Sequence, residues 1–240
     1  VGWMLRSKLA PGTRCALEHG GAAPVILAAD ADLDDALPRL AKGGFYHAGQ
    51  VCVSVQRIFA HSSIAENAAA TLAELGAKMK VGDPTSRDTE VGPLIRTAEV
   101  DRVDEWVQAA IAGGAKCLTG GYKPTVLLNP PEDANVSTME IFGPVICVYS
   151  YEEIDDAIEK ANSLPVSFQA AVMTKDIDTA MRVYNRIDAT AVMVNEHTAF
   201  RVDWMPFAGA RQSGHGVGGI PYSMHEMQIE KMMVLRSDEL

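Results

Sequence analysis

Pro24-Val25-Ile26-Leu27-Ala28, followed by the stretch from Asp30 to Leu40, decides the fold class. The first run is apolar at each position, too short for a helix and of the right length for a buried strand. The second changes period, with Leu33, Leu37 and Leu40 recurring at helical spacing on one face. Outward from this unit the alternation repeats. Val145-Ile146-Cys147-Val148-Tyr149 reads as a strand, with Ser150 and Glu153 at capping-box spacing to begin the helix behind it. Ala170-Ala171-Val172-Met173, a helix from about Asp176 to Ile187, and Ala191-Val192-Met193-Val194 continue the pattern. Ser63 and Glu66 have the capping-box spacing at the head of a helix ending near Met79. Thr97 is placed to cap another, which aligns Val100, Val103, Val107, Ala110 and Ile111 and stops at Gly113-Gly114. Strands alternating with helices predict an α/β fold with a largely parallel sheet. No internal repeat or long linker interrupts the chain, and one domain is the simplest division.

The 240 residues suffice for a full core, and 48% are apolar against 22% charged, as in ordinary globular proteins. No apolar run approaches the roughly 20 residues of a membrane span. Val1-Gly2-Trp3-Met4-Leu5-Arg6 lacks the apolar stretch of a secretory signal, so a cytoplasmic location is expected. A net charge of −10 argues against nucleic acid or anionic membrane as partner. Cys15, Cys52, Cys117 and Cys147 form no Cys-x-x-Cys pair, and the histidines show no ligand spacing. Free thiols and no metal site are expected.

Three short motifs carry chemistry. A lone cysteine on a strand is usually a small buried apolar residue, but Cys52 follows Ala48-Gly49-Gln50-Val51. There Gly49 permits a close backbone approach, and the Cys52 N–H is able to stabilise an oxyanion on a carbon bonded to its sulfur. Glu18, before Gly20-Gly21, is either a solvated carboxylate at a turn or a base, and the intervening strand and helix allow it to converge with Cys52. Glu140-Ile141-Phe142-Gly143-Pro144 is either a bend into the following strand or part of the same cleft. Gly214-His215-Gly216-Val217-Gly218-Gly219 satisfies G-x-G-x-x-G literally, but no strand-like run leads into it and Ile220-Pro221 opposes a helix after it. A dinucleotide phosphate loop is rejected there.

Together, Leu17-Glu18-His19-Gly20-Gly21, the Gly-Gln-x-Cys run ending at Cys52, and Glu140-Ile141-Phe142-Gly143-Pro144 resemble the active site of aldehyde dehydrogenases. Val81-Gly82-Asp83-Pro84, Val91-Gly92-Pro93-Leu94 and Pro206-Phe207-Ala208-Gly209-Ala210-Arg211-Gln212-Ser213-Gly214 extend the likeness, with His19, Ala208 and Arg211 departing from the usual residues. The resemblance implies a three-layer α/β/α catalytic domain over residues 19–240, with a C-terminal loop and strand segment. Residues 1–18 are then the tail of a coenzyme-binding domain that precedes them. It further implies Cys52 as nucleophile, Glu18 as general base, Glu140 on the nicotinamide ribose and Phe142 beside the nicotinamide. NAD or NADP serves the complete enzyme, which is expected to be a homo-oligomer, and the 240 residues alone are expected to bind neither coenzyme.

Phe200-Arg201-Val202-Asp203-Trp204-Met205-Pro206-Phe207 and Ser167-Phe168-Gln169-Ala170 look most like phosphonoacetaldehyde dehydrogenases and their lactaldehyde and non-phosphorylating glyceraldehyde-3-phosphate relatives. Arg201 and Phe207 are therefore candidate substrate residues for a small, anionic aldehyde. The competing reading of Arg201 is an ion pair with Asp203. The competing reading of the whole chain is a non-redox module with residual thiol esterase activity or a binding role.

Overall fold

The computed structural model describes residues 1–119 and 123–239. In chain order the elements begin with α1 (Gly2–Arg6), β1 (Leu17–Glu18), β2 (Ala23–Leu27), α2 (Leu33–Phe45), a 3₁₀ turn (Tyr46–Gly49), β3 (Val55–His61) and α3 (Ser62–Lys78). They continue through α4 (Thr97–Ala112), β4 (Lys116–Cys117), β5 (Thr125–Leu128), α5 (Asn135–Thr138), β6 (Val145–Tyr151) and α6 (Ile154–Asn162). The last are β7 (Val166–Ser167), β8 (Gln169–Met173), α7 (Ile177–Arg186), β9 (Ala191–Val194), β10 (Ala210–Arg211), β11 (Gly214–His215) and α8 (Ile220–Glu226).

Seven strands form the central sheet in the order β4-β5-β6-β3-β2-β8-β9. Neighbours run parallel except at the edge, where β4 pairs antiparallel with β5. Both faces are covered, which is why the strand sequences are apolar runs and not alternations. On one face Leu37, Leu40 and Phe45 of α2 and Leu72 of α3 join Ile58 and Val148 in one core. On the other, Val103 and Val107 of α4, Ile158 of α6 and Val183 of α7 join Ile26, Phe59 and Val172. Each fully buried Leu, Ile or Phe is worth roughly 1.5–3 kcal/mol, against roughly 0–1 kcal/mol for an exposed ion pair. The two apolar faces therefore hold the three layers together.

The α7 start at Asp176 agrees with the sequence reading, while several other helix starts differ from it. Asp32 caps α2 by accepting the Asp35 N–H, and Asp176 caps α7 by accepting that of Thr179. Ser63 does not cap α3: His61 precedes that helix, and its Nδ1 accepts the Ser63 N–H at 3.3 Å. Thr97 lies inside α4, whose first flanking residue is Arg96 and has no side-chain cap. Ser150 remains in β6 because the Asn129 side chain accepts its N–H at 2.8 Å, and α6 begins only after Glu153. Ile220-Pro221 does open a helix, since a proline in the first turn sacrifices no intrahelical bond.

At the N-terminus, β1 pairs antiparallel with β11, and the Trp3 indole donates to the Gln212 carbonyl at 3.0 Å. The segment before residue 19 is thereby tied to the loop around Ser213. Past α8 the described residues form no further helix or strand. No helix among them is long and apolar enough to cross a membrane.

Candidate active site

The three sequence motifs enter neighbouring parallel strands from the same edge of the sheet. Glu140 to Pro144 runs into β6, Cys52 into β3 and Glu18 to Gly21 into β2, and Phe168 precedes β8, so the order β6-β3-β2-β8 brings all four loops side by side. The register confirms a common edge, with Ala23 opposite Val55 and Arg57 opposite Cys147. Clefts in open parallel sheets usually lie at the carboxyl ends of the strands. Here the chemistry-bearing loops gather at the amino ends.

Cys52 sits in a turn ahead of β3, not on the strand itself. The turn is built by three consecutive residues in the left-handed region, His47 (φ 50°), Ala48 (φ 55°) and Gly49 (φ 68°). Two of them are not glycine, and such strain persists only where the surroundings enforce it. A Cβ at Gly49 would stand 2.1 Å from the Gly143 carbonyl oxygen, so the Cys52 loop and the Glu140 loop touch through their backbones. Gln50 ties the turn outward: its side chain donates to the carbonyls of His47 and Pro93 and accepts the Ile95 N–H at 2.9 Å. Behind Cys52 the Ser54 N–H closes onto the Val51 carbonyl, and the buried Thr198 hydroxyl donates to the Val53 carbonyl at 2.7 Å. Cys52 is half-buried against a small aromatic cluster, in which the Phe168 and Phe207 ring centroids are 4.7 Å apart. Over Phe207 lies the exposed Arg201, its guanidinium carbon 4.1 Å from the ring centroid. Among the described residues Arg201 forms no salt bridge with Asp203, so the ion-pair reading of Arg201 is set aside.

Charge links these groups. Burial pushes the Cys52 thiol up, the Glu140 and Glu18 carboxylates push it further, and its own backbone N–H and Arg201 pull against them. Burial likewise raises the Tyr46 hydroxyl, and Cys52 is the charge that adds to it. Glu140 is pushed up to about 7 by burial, with the Gly21 N–H and Arg102 opposing. One of its oxygens, Oε1, is buried with no hydrogen-bond partner among the described residues. The carboxyl lies directly on Gly20, where a Cβ would come within 1.6 Å of that oxygen. Gly20 therefore makes room for Glu140. Glu18 is exposed, with Oε1 2.6 Å from where a Cβ on Gly218 would stand. Phe142 is partly exposed in a left-handed conformation (φ 51°), beside a small cavity that it lines with Gly21, Gly49, Val51 and Glu140.

The folded chain thus brings Glu140, Glu18 and Arg201 within electrostatic reach of Cys52, packs Cys52 against the Phe168–Phe207 pair with Arg201 over Phe207, and sets Phe142 beside Glu140 along one small cavity. Sequence reading missed the supporting residues. Gln56 and Arg57 are buried polar residues near the start of β3, and Arg57 donates to the Ala22, Lys160 and Ala161 carbonyls. Ser213 bridges Gly20 and Ser167 through its hydroxyl. Their signal was polarity inside apolar surroundings. No group of three or more His, Cys, Asp or Glu side chains suited to a metal ion occurs among the described residues.

A half-buried thiol with one half-buried and one exposed carboxylate at the edge of a parallel α/β sheet is a set suited to covalent thiol catalysis. Residues 1–233 match the model of the aldehyde dehydrogenase family, and the chain belongs to that family. It is 39% identical to the 3-sulfolactaldehyde dehydrogenase of Priestia aryabhattai, over 98% of this chain and 50% of that protein. Among solved structures it resembles the glyceraldehyde-3-phosphate dehydrogenase GapN from Methanocaldococcus jannaschii complexed with NADP. There the TM-score is 0.90 at 36% identity, covering 94% of this chain and 50% of that one. It also resembles aldehyde dehydrogenase 21 from Physcomitrella patens in complex with the reaction product succinate, with TM-score 0.89 and 34% identity over 94% of this chain and 48% of that one. The chain spans about half the length of the curated relatives it matches.

Proposed function

We propose that this chain is the catalytic portion of an NAD(P)-dependent aldehyde dehydrogenase that oxidises a small aldehyde bearing an anionic group. The observation that carries the reading is Cys52, a half-buried thiol on the Phe168–Phe207 cluster within the electrostatic reach of Glu140, Glu18 and Arg201. An exposed guanidinium held over an aromatic ring beside the nucleophile suits a sulfonate, phosphonate, phosphate or carboxylate, which Arg binds in bidentate fashion. The relatives named for sulfolactaldehyde and glyceraldehyde-3-phosphate, and the one solved with succinate, support that substrate class.

The residues present fit the nicotinamide end of a coenzyme. Glu140 Oε1 is an orphaned buried acceptor that ribose hydroxyls would satisfy, and the exposed Phe142 ring would pack against the nicotinamide. When bound, the oxidised nicotinamide supplies the acceptor for the aldehyde hydrogen as hydride. Cys52 gives its thiol proton to solvent, and its sulfur bonds to the aldehyde carbon as the carbonyl π pair moves onto oxygen, giving a tetrahedral thiohemiacetal whose oxygen the Cys52 N–H would stabilise. Departure of the hydride leaves a thioester on Cys52. Glu18, open to solvent, then takes a proton from the attacking water; the carbon–sulfur bond breaks, the acid leaves and the sulfur recovers a proton. In the complete protein that contains this segment, Cys52→Ala should abolish aldehyde oxidation, whereas Glu18→Gln should keep the first-turnover burst of reduced coenzyme and slow the steady state. An unaltered steady rate in Glu18→Gln would remove Glu18 from the mechanism.

A further inference from the structure

We propose that Gln56 is a positioning residue that fixes Glu140, and through it the nicotinamide end of the coenzyme site. The proposal rests on the reading of Glu140 as the carboxylate that meets the coenzyme. Gln56 is 4% exposed, and its side-chain amide spends every strong contact on the segment around Glu140. Its Nε2 donates to the Met139 carbonyl at 2.7 Å and to the Val136 carbonyl at 3.1 Å, and its Oε1 accepts the Ile141 N–H at 2.9 Å. Glu140 is thus bracketed on both sides by one side chain. From the other side Arg102 donates to the Ile141 carbonyl at 2.7 Å.

The backbone shows why Gln56 is free for this task. Between β2 and β3 the register steps from Ala23 opposite Val55 to Pro24 opposite Arg57, leaving Gln56 as an extra residue without a partner on β2. Such a bulge re-aims a side chain, and bulges are common beside active sites. Gln56 lies four positions after Cys52, so the strand that carries the nucleophile also holds the carboxylate loop. A buried amide with both ends satisfied is costly to break, because each freed group keeps its desolvation penalty.

The test reads Glu140 through the charge it exerts on Cys52. Gln56→Met and Gln56→Leu keep most of the volume, add no charge and remove all three bonds. Each is made in the 240-residue chain with Glu140 and with Glu140→Gln, and iodoacetamide labelling of Cys52 is followed against pH by peptide mass spectrometry. With Glu140 released toward water its hold on the thiol weakens. Labelling at pH 8 should then rise about threefold in either variant. Neither variant should change the rate in the Glu140→Gln background, as for two residues acting through one coupling. A merely structural role would lower the melting temperature without a Glu140-dependent change in the profile. Should Gln56→Met not fold, Gln56→Leu decides. No change, or the same change in both backgrounds, overturns the proposal; absence of an acyl-enzyme on Cys52 in the complete protein would instead overturn the dehydrogenase reading, leaving the labelling result legible.

Discussion

Replacing Glu140 with glutamine should make the protein more stable at alkaline pH, although it removes a residue of the site. The carboxyl is raised from 4.5 to about 7, chiefly by burial. A carboxyl raised on folding contributes stability that is fully present below its unfolded value and is lost as pH rises through the folded one. The whole interval is about 2.5 units at about 1.36 kcal/mol each, or about 3 kcal/mol. Measurements at pH 5.5 stay clear of the isoelectric point near 5.0. Between pH 5.5 and 8.5 about 1.5 units remain, or about 2 kcal/mol, and this part is absent from a glutamine that cannot ionise. Urea unfolding of both forms at the two pH values isolates it, because every other titrating group is common to the pair. The wild type should lose about 2 kcal/mol more than Glu140→Gln between them. Equal losses would show that Glu140 is ionised in the folded protein at pH 5.5, and its assignment as a buried carboxyl awaiting donors would fail.

Gly49→Ala should cost about 1–3 kcal/mol from the left-handed backbone alone, and more because its methyl would meet the Gly143 carbonyl; thermal melting with Cys52 labelling checks that loop and stability change together. Arg201→Ala in the complete protein should lower kcat/KM for an anionic aldehyde about ten- to a hundredfold more than for propanal, the loss of one charge-assisted contact of roughly 1.5–3 kcal/mol. Equal losses would make Arg201 a support for the Phe207 loop. The 240 residues by themselves should show no micromolar binding of NAD or NADP by titration calorimetry, since Glu140 and Phe142 address only the nicotinamide end.

Much of the sheet was legible because β2, β6 and β8 are buried on both faces and read as apolar runs, as does the edge strand β9 although it is only partly buried. β3 was not, because Gln56, Arg57 and His61 break its apolar character, and only the fold reveals the carbonyls that satisfy Gln56 and Arg57. Helix starts were misread where a serine or threonine at the right spacing lost to a neighbour already placed by the strand, as with His61 and Ser63. At the candidate site, the motifs singled out Cys52, Glu18 and Glu140, which the fold brings near one another. Their interlocking was not: Gly49 on Gly143 and Gly20 on Glu140 are contacts between loops distant in sequence. Thr198 gave no signal because a threonine in a loop is ordinary.

The most direct measurement is peptide mapping of the complete protein with Glu18→Gln after a brief incubation with coenzyme and an anionic aldehyde. A thioester adduct on the peptide that carries Cys52, absent when the same incubation is run with Cys52→Ala, is the predicted result. An adduct on Cys15, Cys117 or Cys147, or turnover with no adduct on any thiol, would contradict the assignment of Cys52 as the nucleophile.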